Sequence, residues 1–228
     1  MTRSSRSPRR LAIAAAGLLA LSGLGACGSD TDASDVEASP SVEGGAACTY
    51  TEQGAASKQV DLPPDSATVS GELPATIETS AGAVDITLDA DGAPCTVNSF
   101  VSLADQGYFD DTPCHRLTTQ GIFVLQCGDP TGSGSGGPGY SFPDEVTQDA
   151  SYPAGTLAMA NAGPDTNGSQ FFIVYGDTEL PPAYTVFGTV GADGLQVVQD
   201  VAEDGVAGGA ADGPPATPVQ ITSVTVDQ

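Results

Sequence analysis

The chain has 228 residues, no tryptophan, and six Lys plus Arg against 29 Asp plus Glu, a formal charge of −23. Four of the six bases, Arg3, Arg6, Arg9 and Arg10, fall in the first ten positions, so everything after them carries only Lys58 and Arg116 against all 29 acids, a net of about −27. Such a surface repels phosphate backbones and anionic headgroups, because binding either needs clustered Lys or Arg; nucleic acid is excluded as a partner, and the length bounds the chain to one domain with a tail.

The opening MTRSSRSPRR leads into LAIAAAGLLALSGLGAC. Its apolar run of about fourteen residues is too short to cross a bilayer and reads as an export signal over residues 1–26. Leu24, Gly25, Ala26 and Cys27 resemble the lipobox of bacterial lipoproteins, whose cysteine is lipidated and becomes the new N-terminus. Two or more acyl chains on Cys27 would hold the chain at the outer face of a bacterial cell membrane through lipid alone. Residues 27–73, rich in Ser, Ala, Gly, Asp and Pro with little apolar periodicity, read as a flexible acidic spacer. With Cys27 assigned to lipid, Cys48, Cys95, Cys114 and Cys127 remain, and an even number in an exported chain implies two disulfides with three possible connectivities. Cys114 and Cys127 flank what reads as a hairpin, which favours that pair and leaves Cys48 with Cys95. No CxxC or HxxxH spacing is present, so no metal site is expected.

Residues 74–228 read as the folded domain. ATIETS and AVDITL form a hairpin around Ala81 and Gly82, with Val84, Ile86 and Leu88 on one face. Pro94 opens a helix in which Val97, Phe100, Val101 and Ala104 recur at helical spacing until Gly107. GIFVLQC, GTLAMA, SQFFIVYG and YTVFGTV follow as short strands bounded by Gly, Pro or Asp. A second helix runs from about Leu195 to Glu203 on Leu195, Val198 and Val201, stopped by Gly205, and VQITSVTV ends the domain as a strand. Short strands with two helices imply a mainly β fold, a closed antiparallel barrel with helical caps. TGSGSGGPG, residues 131–139, lacks the lysine and following helix of a phosphate loop and reads as a plain loop.

Several of these segments resemble the cyclophilins, the cyclosporin-binding peptidyl-prolyl isomerases. MANAGPDTNGSQFFI, residues 159–173, is similar to their signature segment; CHRL followed by GIFVLQCGD, GSGG followed by FPDE, and YTVFGTV match their other segments in family order. The resemblance covers about Ala75 to Gln228 and implies an eight-stranded form of the capped barrel. It places the family's catalytic arginine on Arg116 and the phenylalanine and glutamine of the next strand on Phe123 and Gln126. Substrate-binding positions fall on Val124, Ala160, Asn161, Gln170, Phe172, Leu180 and Tyr184. It implies proline-containing unfolded or flexible exported polypeptides as partners, a monomer, and no cofactor. The sequence departs from the family in a longer turn after Arg116, in Cys127 for a glycine, in Tyr184 where many members have histidine, and in the absence of the tryptophan that contacts cyclosporin.

The chemistry follows from the residues as well. Rotating a peptide bond breaks amide resonance against a barrier of about 18–20 kcal/mol, and X-Pro bonds populate both isomers. In the twisted state the prolyl nitrogen regains a lone pair, so a fixed donor aimed at it favours that state over either planar one, with no covalent step. A guanidinium is such a donor, permanently charged and rigid. Phe123, Val124, Phe172 and Leu180 would hold the ring; Gln126, Gln170 and the Asn161 backbone would hold the chain. By strand alternation His115 is expected to point away from Arg116, as a buried structural residue. The competing reading is a proline-peptide binding module or holdase with little turnover.

Overall fold

The structure, a computed structural model, describes residues 45–227; the expected export signal and lipobox cysteine Cys27 lie outside them. After the short strand β1 (Thr51–Glu52), β2 (Glu72–Thr79) and β3 (Gly82–Asp89) pair in full register from Glu72 opposite Asp89 to Thr79 opposite Gly82. Period-two alternation buries Leu73, Ala75 and Ile77 from one strand and Val84, Ile86 and Leu88 from the other. Helix α1 (Pro94–Asp105) begins on the proline, whose missing N–H costs nothing in a first turn. Its N-terminal amides are satisfied from a distance: the Glu145 carboxylate accepts from the Cys95 and Thr96 N–H groups at 3.0 and 2.8 Å, a charge the helix dipole favours.

Strands β4 (Thr112–Pro113), β5 (Arg116–Thr118), β6 (Val124–Cys127), β7 (Tyr140–Ser141), β8 (Thr156–Met159), β9 (Phe171–Val174) and β10 (Val186–Val190) follow, then helix α2 (Ala192–Asp204), β11 (Asp212–Gly213) and β12 (Gln220–Val226). Helix α2 packs close over β3 because residue 194 is glycine: a Cβ there would stand 3.0 Å from the Val84 Cα and the Asp85 nitrogen.

Ten strands form one curled antiparallel sheet in the order β11-β5-β6-β9-β8-β10-β3-β2-β12-β4, while β1 and β7 make a separate pair. The fold is therefore mainly β with two helices, a half-barrel; the expected closed eight-stranded barrel is not confirmed. No ladder joins the sheet's ends, β11 and β4, among the described residues. Only Cys114 and His115 link β4 to β5, and β4 takes its hydrogen bonds from β12 while β5 takes its own from β6 and β11. In the main core Phe100 meets Phe109, Phe171 and Phe187 at ring distances of 5.0, 5.6 and 5.4 Å. Each such buried side chain contributes about 1.5–3 kcal/mol of transfer free energy.

The strands nearest the site are buried on both faces. Leu125, Cys127, Phe171, Ile173, Leu157 and Met159 enter the main core, and the alternate residues Val124, Phe172, Val174 and Ala158 form a second, smaller cluster with Tyr152.

Residues 45–71, which composition assigns to the flexible spacer, instead form a strap along the domain. Cys48 is bonded to Cys95 and Cys114 to Cys127. The Tyr50 ring stands edge-on to Tyr140 and Phe142, 5.6 Å from each, and its hydroxyl donates to the Cys95 carbonyl at 2.7 Å. Lys58 Nζ donates to the carbonyls of Gly107, Tyr108 and Asp110 at 2.9, 3.3 and 2.8 Å, which satisfies the turn after α1. These are isolated contacts from an irregular backbone, so no periodicity announces them.

Candidate active site

Register assembles the site. Arg116 lies directly opposite Gln126, Gln126 opposite Phe172, and Phe172 opposite Ala158, so four adjacent strands present these side chains in one row. Because side chains alternate faces, a slip of one residue would exchange this row for core residues such as Leu117 and Leu125. Val124, two residues before Gln126, extends the same face. The row opens into a pocket of about 440 Å³. Arg116, Val124, Gln126, Ala160, Asn161, Phe172, Leu180 and Tyr184 all line it.

Its apolar end is made by Phe172, edge-on to Tyr184 at 5.5 Å, with Val124 and Leu180 beside them. The loop carrying Tyr184 is fixed from below, because the buried Tyr152 hydroxyl accepts from the Tyr184 N–H and donates to its carbonyl, both at 3.0 Å. Asn161 Nδ2 donates to the Ala183 carbonyl at 2.8 Å, tying the two walls of the pocket together.

The polar end is a chain of hydrogen bonds. Arg116 Nη1 donates to Gln126 Oε1 at 3.2 Å, Gln126 Nε2 to Gln170 Oε1 at 2.9 Å, and Gln170 Nε2 to the carbonyls of Gly134 and Gly136 at 3.0 and 2.9 Å. Each amide orientation is thus set by its neighbour. The glycine-rich loop that supplies those carbonyls wraps the buried Asp129, whose carboxylate accepts from the N–H groups of Thr131, Gly134 and Gly136 at 2.8, 2.7 and 3.0 Å. Burial pushes this carboxyl up, but the hydrogen bonds outweigh it and hold the group below the usual carboxylate range. A Cβ on Gly136 would collide with that carboxylate.

On the opposite side of the loop the strap takes hold. β1 pairs with β7, the Gln53 N–H donates to the Gly139 carbonyl, and the Ser57 N–H donates to the Gly137 carbonyl, both at 2.8 Å. Beside the first pocket lies a groove of about 710 Å³, walled by Gln53, Gly54 and Ala55 of the strap and by Ala160, Asn161 and Ala162, with Gln170 between.

Two sequence expectations are corrected. Phe123 does not line the pocket. It faces away from Val124, with its ring 5.9 Å from Tyr175, and Ile122 takes the place beside Val124. Val124 and Gln126 share the face that carries Arg116's partner, and just before β6 Ile122 joins them in the pocket while Phe123 turns onto Tyr175. His115 does line the pocket, although it was expected to point away. Alternation does not carry across this position, because His115 lies in the link between two strands that pair with different neighbours. Its ring lies against Gly134, both ring nitrogens are buried without a hydrogen-bond partner, and burial pulls its pKa below the ordinary value against the pull of Asp129. Motif reading also missed Asp212. It accepts from Arg116 Nε and Nη2 at 2.8 and 2.7 Å, and the bond raises the pKa of Arg116 and lowers that of Asp212. No group of His, Cys, Asp and Glu able to hold a metal ion occurs among the described residues.

Residues 75–226 match the family model of the cyclophilin type peptidyl-prolyl cis-trans isomerases. A probable peptidyl-prolyl cis-trans isomerase B of Mycobacterium tuberculosis H37Rv is 51% identical over 204 residues, covering 82% of this chain and 66% of that protein. The protein of the same name from Mycobacterium leprae is 52% identical over 179 residues, 73% of this chain and 59% of that one. The chain thus spans less than two thirds of the length of these relatives, 66% of one and 59% of the other. A crystal structure of a Cryptosporidium parvum cyclophilin type peptidyl-prolyl cis-trans isomerase superposes with a TM-score of 0.60 at 29% identity, over 69% of this chain and 98% of that one. Another, in the presence of the dipeptide Ala-Pro, gives 0.59 at 30% identity, over 68% and 99%.

Proposed function

Since the chain belongs to the cyclophilin type peptidyl-prolyl cis-trans isomerases, we propose that it accelerates rotation of X-Pro bonds in polypeptides outside the cytoplasm, with Arg116 as its electrostatic catalyst. The observation that carries this reading is the row Arg116, Gln126, Phe172, in which a permanent cation stands one strand from an amide and two strands from an apolar pocket. The proline ring enters between Phe172, Val124, Leu180 and Tyr184, which strip it of water. Gln126 and the Asn161 backbone hold the flanking chain.

Binding the ring while the preceding carbonyl is free to swing favours the twisted amide. As resonance breaks, the prolyl nitrogen becomes pyramidal and accepts a hydrogen bond from the guanidinium. Such a charge-assisted bond is worth about 1.5–3 kcal/mol, on the order of ten- to a hundredfold in rate. The remainder comes from complementarity to the twisted shape. No proton moves, so the cation needs only to stay charged, which its partner Asp212 reinforces.

Export and lipid anchoring through Cys27 belong to the same proposal. They are supported by the sequence of residues 1–27 and by two disulfides, which persist in oxidising compartments. Isomerisation without help takes tens to hundreds of seconds, so chains folding outside the cytoplasm gain from the activity. The test is the cis-to-trans rate of a short Ala-Pro peptide with purified protein. Catalysis supports the proposal, and binding of the peptide without acceleration would favour a holdase.

A further inference from the structure

Arg116 owes its orientation to a residue that no motif marks. β11 pairs with β5, setting Asp212 opposite Thr118 and Gly213 opposite Leu117, so the Asp212 side chain meets the guanidinium edge-on. The segment around it is held at several points: Val206 bridges to Pro215, the Ala207 N–H donates to the Pro214 carbonyl at 2.9 Å, and the Thr119 N–H donates to the Ala211 carbonyl at 2.9 Å. A guanidinium has five N–H donors. Asp212 takes one from Nε and one from Nη2, and Gln126 takes one from Nη1, which leaves one hydrogen on each Nη for the groove.

We propose that Asp212 is a positioning residue for the isomerisation, fixing the Arg116 fork by its Nε–Nη2 edge so that the remaining Nη hydrogens stay aimed at the prolyl nitrogen. The arginine side chain carries large rotamer freedom, and a carboxylate that matches its fork removes that freedom before substrate arrives. The partners are open to solvent, 36% and 56% exposed, and exposed ion pairs add little to folding stability. The pair therefore acts on catalysis and not on the fold. Asp212 also lines the pocket, but from β11, three strands along the sheet from the strand of Phe172, so binding of the proline ring does not depend on it.

The inference rests on the proposed isomerase activity, and the wild type run alongside separates the two. The full chain is compared with Asp212→Asn, Asp212→Ala and Asp212→Glu for kcat and KM on an Ala-Pro peptide, and for thermal midpoint. The expected result is a kcat lower by about tenfold in Asp212→Asn and more in Asp212→Ala, from the rotamer freedom restored to Arg116. KM should stay within about twofold, Asp212→Glu should recover part of the rate, and all midpoints should agree. An active wild type with variants of equal kcat, or variants whose loss lies in KM or in the midpoint, overturns the role of Asp212 alone. An inactive wild type overturns the isomerase reading and the inference with it.

Discussion

Removing the Cys48–Cys95 bond by a double substitution to serine tests whether the strap is part of the fold. The bond closes a loop with a sequence separation of 47 residues. On the chain-entropy account, opening such a loop returns about 4 kcal/mol of entropy to the unfolded state. With an m-value of about 2 kcal/mol per molar urea, the unfolding midpoint should drop by as much as about 2 M. The loss should also have a local signature. The Tyr50 ring edge-on to Tyr140 and Phe142, the Gln53 and Ser57 bonds to the glycine-rich loop, and the Lys58 contacts all lie within the strap that the bond anchors. Amide exchange at Gln53, Ser57 and Ala67 should therefore accelerate beyond the change in global stability. Urea titration followed by fluorescence, and exchange followed by mass spectrometry, read both. An unchanged midpoint together with unchanged exchange would refute the reasoning and return residues 45–71 to the status of a spacer.

Other outcomes follow from individual contacts. Asp129→Asn should cost about 1.5–3 kcal/mol in a denaturant titration, because a buried carboxylate that accepts three backbone N–H bonds is lost. With its folded pKa held below the ordinary value, the stability that Asp129 confers is present above the unfolded pKa and is lost as pH falls through the folded one. His115 adds a separate slope. Its folded pKa lies below 6.5, so the unfolded chain binds the proton first and stability declines as pH drops under that value; His115→Leu should flatten this part of the curve. Cyclosporin should inhibit more weakly than it does a typical cyclophilin, since the chain has no tryptophan to offer, and an equally tight inhibition curve would contradict this.

Much of the fold was legible because its elements follow simple periods. The β2–β3 hairpin, the stripe of α1 and the strands around Phe187 and Ile221 alternate or recur as burial requires. Helix α2 begins three residues earlier than Leu195, because Gly194 packs on β3 and carries no apolar side chain to mark the turn. In the site, the residues carried by recognisable motifs were legible from sequence, whereas Asp212, brought in by the pairing of β11 with β5, was not. Asp212 meets Arg116 across 96 positions of chain, and nothing local to either residue signals the contact. Motif position puts Phe123 in the pocket, yet its ring turns onto Tyr175, and His115 departs from alternation because it lies in a link between two strands. Strand number and closure were less legible for a related reason: a pattern of short strands reveals their faces, but not how many two- and three-residue strands join the sheet or which edges remain unpaired.

The central claim is that Arg116 supplies charge to the twisted amide. The most direct test is the cis-to-trans rate of an Ala-Pro peptide with the wild type and Arg116→Ala, once both are shown to unfold at similar temperature. The account predicts catalysis by the wild type and a fall of about ten- to a hundredfold in kcat/KM for the variant, the worth of one charge-assisted bond. A folded Arg116→Ala protein that isomerises the peptide as fast as the wild type would contradict it.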